Sequence, residues 1–251
     1  MTGVSSPPRT ALVTGASRGI GLGIATRLAE QGWGLTITAR DTGRLGEVAG
    51  ILRAAGASQV ITLAADLAED EAAGHLVETH RQAYGAMNAL VLNAGVGTVA
   101  RAADFPARRV AKTLQVNLVS SIHLTGQALP LLRAGALADP DRGATIIGLS
   151  SITGVHADVG YSIYGASKAA LLRYLEAVDQ EESPGGVRAT SIAPAYVATD
   201  MTAWVSDTVP ADSMIAVQDV VEVVDMVLRL SRNAGVAPIV MTRSGTSGLT
   251  A

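Results

Sequence analysis

Short runs of apolar, mostly β-branched residues recur along the chain, and segments with the apolar spacing of amphipathic helices lie between them. The runs read TALVTG, GLTITAR, QVITLAAD, NALVLNAG, ATIIGLSS, VRATSIAP and APIVMT. The helical segments cover roughly residues 19–31, 42–55, 69–84, 105–134, 162–182 and 217–232. This alternation predicts an α/β fold with a doubly wound, seven-stranded parallel sheet and helices on both faces. No linker interrupts the alternation, so we expect a single domain over residues 1–251.

Composition narrows the class of protein. Hydrophobic residues make up 48% of the chain and aromatic residues only 3%, and the 27 glycines suit close packing of helices on a buried sheet. The net charge of -3 and the lack of a dense Lys/Arg cluster argue against a nucleic-acid or membrane partner. There is no cysteine and the four histidines are scattered, so we expect no metal. Without a signal peptide or a membrane-spanning run, we expect a cytoplasmic protein with a small-molecule partner.

The segment TGASRGIG, residues 14–21, follows the first predicted strand and opens the first predicted helix. Gly15 permits a tight turn, Gly19 lets a pyrophosphate approach the backbone, and Gly21 lets the helix pack on the sheet. The N–H groups at the helix N-terminus would face the phosphates. Polar and turn-forming residues also follow the other strands, at Arg40, Asp66 and residues 93–95, 150–151 and 194–199. The sequence therefore predicts a dinucleotide site at the carboxyl edge of the sheet.

The end of the second strand, Ala39-Arg40-Asp41, bears on the choice of dinucleotide. An acidic residue there would bond the ribose 2′-hydroxyl of NAD, whereas Arg40 can pair with the 2′-phosphate of NADP. Arg18, inside the glycine loop, offers a second cation. NADP(H) is therefore favoured. NAD(H) stays open, because a strand that ends one residue later would bring Asp41 into the discriminating position.

Tyr164 and Lys168, in YGASK, stand four residues apart in a predicted helix and so share one face. A nearby ammonium favours the phenolate, which would lower the pKa of the tyrosine from about 10 and make it a useful acid or base. Taken alone, the pair is more often a solvated lysine beside a half-buried tyrosine than a reactive pair, because this spacing is common in helices.

The glycine loop, LNAG at residues 92–95, the serines at 150–151 and YGASK together resemble the short-chain dehydrogenase/reductase family over residues 8–232. The similarity is to its single-domain, Rossmann-fold branch, including 3-oxoacyl reductases. It implies a catalytic set of Ser151, Tyr164, Lys168 and Asn117. In that set the tyrosine exchanges a proton with the carbonyl oxygen, the serine bonds that oxygen, the lysine lowers the tyrosine's pKa, and the asparagine holds a water.

The resemblance also implies a set of cofactor contacts and shows two departures from the family pattern. The implied contacts are Gly15, Ser17, Arg18, Gly19, Ile20, Gly21, Arg40, Asp66, Leu67, Asn93, Ala94, Gly95, Tyr164, Lys168, Pro194, Val197 and Thr199. Ala195 stands where the family usually has a glycine, so the loop beside the nicotinamide should be slightly altered. The C-terminal segment APIVMTRSGTSGLTA lacks the family's usual ending, which often helps to form a tetramer.

The resemblance implies NADP(H)-dependent reduction of a ketone or an aldehyde. The alternatives are an NAD-dependent alcohol dehydrogenase that works oxidatively and a nucleotide-binding regulator without catalysis. We expect the substrate pocket between residues 151 and 164 and in the loop after Thr199. Its apolar surface would come from Ile152, Val155, Val159, Met201, Trp204 and Met214, and its polar contacts from His156, Asp158 and Tyr161. Apolar faces at 105–134 and 162–182 suggest a homodimer or homotetramer, unless the sheet and neighbouring helices bury them.

Overall fold

Seven parallel strands form one sheet in the computed structural model, which describes residues 8–97 and 99–246. The strands are β1 (Thr10–Thr14), β2 (Gly34–Ala39), β3 (Gln59–Ala64), β4 (Ala89–Leu92), β5 (Ala144–Leu149), β6 (Val187–Pro194) and β7 (Ile239–Met241). Their order across the sheet is β3-β2-β1-β4-β5-β6-β7. All seven strands predicted from the apolar runs are confirmed.

Helices cover both faces of the sheet. They are α1 (Gly19–Glu30), α2 (Thr42–Ala55), α3 (Ala72–Tyr84), α4 (Ala107–Leu114), α5 (Ser120–Ala138), α6 (Ser162–Glu182) and α7 (Val217–Arg229). One core packs α1, α2 and α7 on the sheet, and the second packs α3, α5 and α6 on the opposite face. Within β1, Val13 belongs to the first core and Leu12 to the second, as the period of two in a strand requires. The predicted doubly wound architecture is confirmed.

The predicted helix over 105–134 is the largest difference from the sequence-based expectation. The structure divides it into α4, a π-helical turn at Gln115–Val119 and α5, which continues to Ala138. Two other boundaries also move: α3 begins three residues later than predicted, because residues 66–71 form turns, and α7 ends at Arg229. In the first of those turns Asp66 Oδ1 accepts from the N–H of Ala68 at 3.0 Å.

The direction of winding reverses between β1 and β4, which are neighbours in the sheet. In such sheets the connections leave the two strands on opposite faces and open a crevice beyond their carboxyl ends. Chemistry-bearing residues therefore collect at this edge. Across the described ranges, no helix combines the length and apolar character needed to cross a membrane.

Candidate active site

A cavity of about 640 Å³, the cleft, opens at the carboxyl ends of the strands. Every implied cofactor residue lines it except Gly21, which is buried beneath it. Ser151, Tyr164 and Lys168 line it too, whereas Asn117 lies just behind its wall. The structure therefore brings the sequence-predicted residues to one place.

The glycine loop adopts a backbone that other residues would strain. Gly15 has φ +64° and Gly19 has φ +55°, both in the left-handed region. A Cβ on Gly21 would lie 2.4 Å from the carbonyl oxygen of Gly15, so only glycine lets α1 start this close to the turn. Arg18, at the N-cap, is extended and its side chain caps no N–H group. The first turn of α1 thus presents uncapped N–H groups at the cleft, which suits an anionic phosphate.

Asn93 and Thr14 hold the glycine turn against β4. Asn93 Nδ2 donates to the carbonyl oxygens of Thr14 at 2.9 Å and Gly15 at 3.1 Å. In return, Thr14 Oγ1 accepts from the N–H groups of Asn93 and Ala94, each at 3.0 Å. Both amide hydrogens of Asn93 are therefore committed to the turn. Sequence reasoning missed Thr14, because its role depends on a partner in another strand.

Arg40 and Asp41 occupy different environments. β2 ends at Ala39, and the exposed Arg40 lines the cleft without a hydrogen-bond or ion-pair partner among the described residues. Asp41 instead caps α2, where its Oδ1 accepts from the N–H of Arg44 at 2.9 Å, and it does not line the cleft. Arg18 pairs with Asp200 at 3.1 Å across the cleft mouth. Both side chains of that pair are about two-thirds exposed, so the pair contributes little stability.

Ser151, Tyr164 and Lys168 meet between the end of β5 and the start of α6. Lys168 Nζ is buried, donates to the carbonyl oxygen of Leu149 at 2.7 Å and lies 5.7 Å from the centre of the Tyr164 ring. Ser151 Oγ accepts from Thr153, from its N–H at 3.2 Å and its hydroxyl at 3.0 Å. The Ser151 hydroxyl also acts on the Tyr164 phenol, whose pKa it lowers. The serine is therefore oriented at the cleft by a neighbour that the sequence did not single out.

The acidity of the tyrosine differs from the sequence-based expectation. Burial raises the pKa of Tyr164 to about 12, and the hydrogen bond with Ser151 opposes that rise. Burial also lowers the pKa of Lys168 to about 8. Desolvation of the phenolate is the largest influence on the pKa of Tyr164 in the protein alone, so the expected value below 10 is not met. The effect of Lys168 on the phenol stays a prediction.

Asn117 lies in the π-helical turn. Its Oδ1 accepts from the N–H of Val96 at 2.8 Å, and its Nδ2 donates to the carbonyl oxygen of Val96 and to Ser167 Oγ, each at 3.1 Å. These bonds tie the loop after β4 to α6. A Cβ on Gly95 would lie 3.3 Å from Asn117 Oδ1 and 3.4 Å from Lys168 Nζ, so the glycine keeps that space open. Such π turns concentrate at functional sites, and the only signal in the sequence was an asparagine inside a predicted helix.

The loop after β6 accommodates the alanine that replaces the usual glycine. No residue other than glycine has a positive φ in the described ranges, so Ala195 is unstrained, and its N–H donates to the carbonyl oxygen of Met241 at 2.8 Å. The alteration expected around Pro194 is therefore small. Further along, Thr199 reaches the glycine loop, where a Cβ on Gly19 would lie 3.3 Å from its methyl group.

The residues that line the outer part of the cleft differ from those predicted for the substrate pocket. Met201 and Trp204 line it as expected, whereas Ile152 is buried in the core and the side chain of Val159 is 82% exposed outside the cleft. Tyr161 and the unpredicted Tyr196 also line this part. In the described ranges, no group of three His, Asp or Glu side chains is placed to hold a metal. The changed C-terminal tail lies partly in residues 247–251, outside the described residues.

Comparisons with known proteins agree with this geometry. The sequence model of a family described as short chain dehydrogenase matches residues 9–210. An uncharacterized oxidoreductase of Staphylococcus saprophyticus is 31% identical over 194 residues, which cover 77% of this chain and 80% of the relative. An 11-beta-hydroxysteroid dehydrogenase 1A of Arabidopsis thaliana is 33% identical over 195 residues, which cover 77% of this chain but only 54% of that relative.

A solved structure extends the comparison to the whole fold. The crystal structure of a short chain dehydrogenase from Burkholderia cenocepacia in complex with NADP superposes with a TM-score of 0.83 at 28% sequence identity. The match covers 93% of this chain and 96% of that chain.

Proposed function

Because the chain belongs to the short-chain dehydrogenase family, we propose that this oxidoreductase uses NADP(H) to reduce a ketone or an aldehyde to an alcohol. The observation that carries the proposal is the placement of the Tyr164 phenol and the Ser151 hydroxyl in the same cleft as the glycine turn. A dinucleotide in the glycine turn can then share the cleft with a carbonyl compound held by these two hydroxyls.

The residues of the cleft fit a nicotinamide dinucleotide. The uncapped first turn of α1 would hold the pyrophosphate, with Ser17 and Ile20 beside it. Asp66 and Leu67 would border the adenine, and Ala94 its ribose. Lys168 has two N–H groups left for the nicotinamide ribose, since one donates to Leu149. When bound, the dinucleotide would supply the hydride.

The side chains would then manage the proton. As hydride adds to the carbonyl carbon, the carbonyl oxygen becomes an alkoxide and takes the proton of Tyr164, leaving a phenolate. Ser151 would donate a hydrogen bond to the same oxygen while its negative charge develops. A pKa of about 12 keeps Tyr164 protonated at neutral pH, which suits donation and therefore reduction. Lys168 would stabilise the phenolate once it forms, and Asn117 acts as a positioning residue through Val96 and Ser167.

The preference for NADP(H) rests on Arg40. Arg40 follows the end of β2, lines the cleft and has no ion-pair partner among the described residues, so its guanidinium is free to bind a 2′-phosphate. Asp41, which would favour NAD(H), is occupied as the cap of α2. The NADP bound to the Burkholderia relative supports the same choice. An NAD-dependent alcohol dehydrogenase is the competing function, and turnover with NADPH against NADH separates the two.

The decisive experiment replaces Tyr164 by phenylalanine. We expect Tyr164→Phe to keep NADPH affinity within about twofold and to lose turnover of a ketone and aldehyde panel by at least about 100-fold, because only the proton donor is removed. Tyr174→Phe is the matched control, since Tyr174 is a half-buried tyrosine of the same helix outside the cleft. Near-normal turnover of Tyr164→Phe would refute the proton-donor role. NADPH binding by the unmodified protein without any turnover would favour the regulator instead.

A homodimer or homotetramer is the assembly that we propose. The resemblance to the family supports it, while the apolar residues that suggested an interface are partly used elsewhere. Leu124 and Leu132 of α5 and Leu175 of α6 are buried within this chain. The interface would therefore use the outer positions of these helices, such as Leu137, whose side chain is 82% exposed.

A further inference from the structure

Two tyrosines outside the proposed catalytic set form a pair in the outer part of the cleft. The hydroxyl oxygens of Tyr161 and Tyr196 lie 2.6 Å apart, within hydrogen-bond distance. Tyr161 comes from the N-terminus of α6 and Tyr196 from the loop after β6, and both line the cleft beside Ser151 and Tyr164. The rings of Tyr161 and Tyr164 are 6.1 Å apart between centres. The pair therefore stands next to the proposed proton donor.

The number of protons on this tyrosine pair leaves one hydrogen-bond donor unused. Each phenol carries one O–H donor and can also accept. Whichever hydroxyl donates across the 2.6 Å contact, the proton of the other hydroxyl is not used in that hydrogen bond. Among the described residues, neither hydroxyl has a second hydrogen-bond partner. One O–H of the pair is thus available to a molecule in the cleft.

The surroundings hold the pair in place and keep Tyr161 neutral. The guanidinium of Arg243 lies 5.7 Å from the centre of the Tyr196 ring, a cation–π distance that restrains the ring. The mutual hydrogen bond fixes the second phenol against the first. Burial, with a smaller contribution from Tyr196, raises the pKa of Tyr161, so Tyr161 keeps its proton throughout the neutral range.

We infer that the tyrosine pair donates a hydrogen bond to a second oxygen of the substrate, an inference that rests on the proposed function. The substrate class is then a ketone or aldehyde with another acceptor oxygen, a carbonyl or ester, a few bonds from the carbonyl that is reduced. The centres of the Tyr161 and Tyr164 rings are 6.1 Å apart and both residues line the cleft, so one small molecule can reach both. Met201 and Trp204 offer apolar surface to the remainder of that molecule.

The test compares ethyl acetoacetate, a keto ester, with butyl methyl ketone, which has a similar chain but no second oxygen. The measured quantity is the ratio of kcat/KM for the two compounds, because the ratio within one variant cancels differences in enzyme concentration. In the double variant Tyr161→Phe/Tyr196→Phe both rings remain and both hydroxyls are lost. We expect its preference for the keto ester to fall about fivefold, the effect of one neutral hydrogen bond, with smaller losses in the single variants. Tyr174→Phe should leave the ratio unchanged.

The outcomes separate the inference from the proposed function. NADPH affinity close to that of the unmodified protein shows that the double variant is folded. A ratio that stays within about twofold of the original, or an equal loss on both compounds, overturns the second-oxygen contact while leaving the reductase in place. If the unmodified protein reduces neither compound, nor any other carbonyl compound, with NADPH or NADH, the proposed function fails and the inference falls with it.

Discussion

His80, on α3, provides a test of the electrostatics beneath the sheet. Its side chain is fully buried, with Nδ1 2.9 Å from Thr36 Oγ1 of β2 and Nε2 3.1 Å from the carbonyl oxygen of Ala86. The Ala86 oxygen only accepts, so Nε2 carries the proton of the neutral ring and Nδ1 accepts from Thr36. Both ring nitrogens are therefore satisfied without a positive charge, and no carboxylate of the described residues is hydrogen-bonded to the ring to compensate one.

The size of the effect follows from the pKa of this ring. Burial lowers the pKa of His80 from 6.5 to about 4. Between these two values the unfolded chain binds a proton that the folded protein does not, so the free energy of unfolding falls as the pH falls from 6.5 to about 4. At about 1.4 kcal/mol per pKa unit, the gap corresponds to a loss of about 3 kcal/mol. Above pH 6.5 the histidine contributes no pH dependence.

The assay is urea unfolding of the unmodified protein and of His80→Gln at several pH values from about 7 to about 4. Glutamine can still donate and accept hydrogen bonds but does not titrate, and the carboxylates contribute equally to both proteins. We expect the unmodified protein to lose about 3 kcal/mol more than the variant over this range. His75→Gln, an exposed histidine of the same helix, should behave like the unmodified protein. If the unmodified protein and His80→Gln lose stability in parallel, the reasoning is wrong.

Two further predictions concern the cofactor end of the cleft. Arg40→Asp should raise the Kd for NADPH at least about tenfold and leave the Kd for NADH nearly unchanged, because the new carboxylate repels only a 2′-phosphate. Calorimetric titration measures the Kd of each dinucleotide. Equal losses of affinity for NADPH and NADH would show that Arg40 does not bind the 2′-phosphate. Asn93→Ala removes the hydrogen bonds to the carbonyl oxygens of Thr14 and Gly15. We therefore expect the free energy of unfolding, measured in urea, to fall by about 1–2 kcal/mol and NADPH to bind more weakly. Unchanged NADPH affinity would show that the glycine turn keeps its shape without Asn93.

The identity of the substrate has to be inferred from the side chains of the cleft, because similarity to the relatives does not supply it. They share the family with this chain at 31% and 33% identity, yet one is uncharacterized and the other is described as a steroid dehydrogenase. The phosphate end of the cleft is built from backbone and glycines, which many members of a family can share. The outer end is built from side chains such as Tyr161, Tyr196 and Trp204, and under the proposed function these would select the carbonyl compound that fits.

Local patterns in the sequence were sufficient for most of the fold. Alternating and helical apolar spacing located every strand and every helix to within a few residues, except over 105–134, where one predicted helix is divided by a π turn. The spacing suffices elsewhere because each element buries one face or both faces with a fixed period. The glycine turn at residues 14–21 was recognisable for a similar reason, since its backbone requirements act within one short segment. The order of motifs along the chain then identified the family.

Tertiary structure decided what depends on residues far apart in the chain. Whether Asp41 occupies the position that discriminates NAD from NADP depended on where β2 ends. The π turn at Gln115–Val119 lies where Asn117 hydrogen-bonds Val96 and Ser167. The spacing of Tyr164 and Lys168 indicated a lowered pKa for the tyrosine, but burial raised it. Tyr161 and Tyr196 meet across 35 positions of sequence. Periodicity is a local property of the chain, whereas desolvation and contacts between loops exist only once the elements have packed.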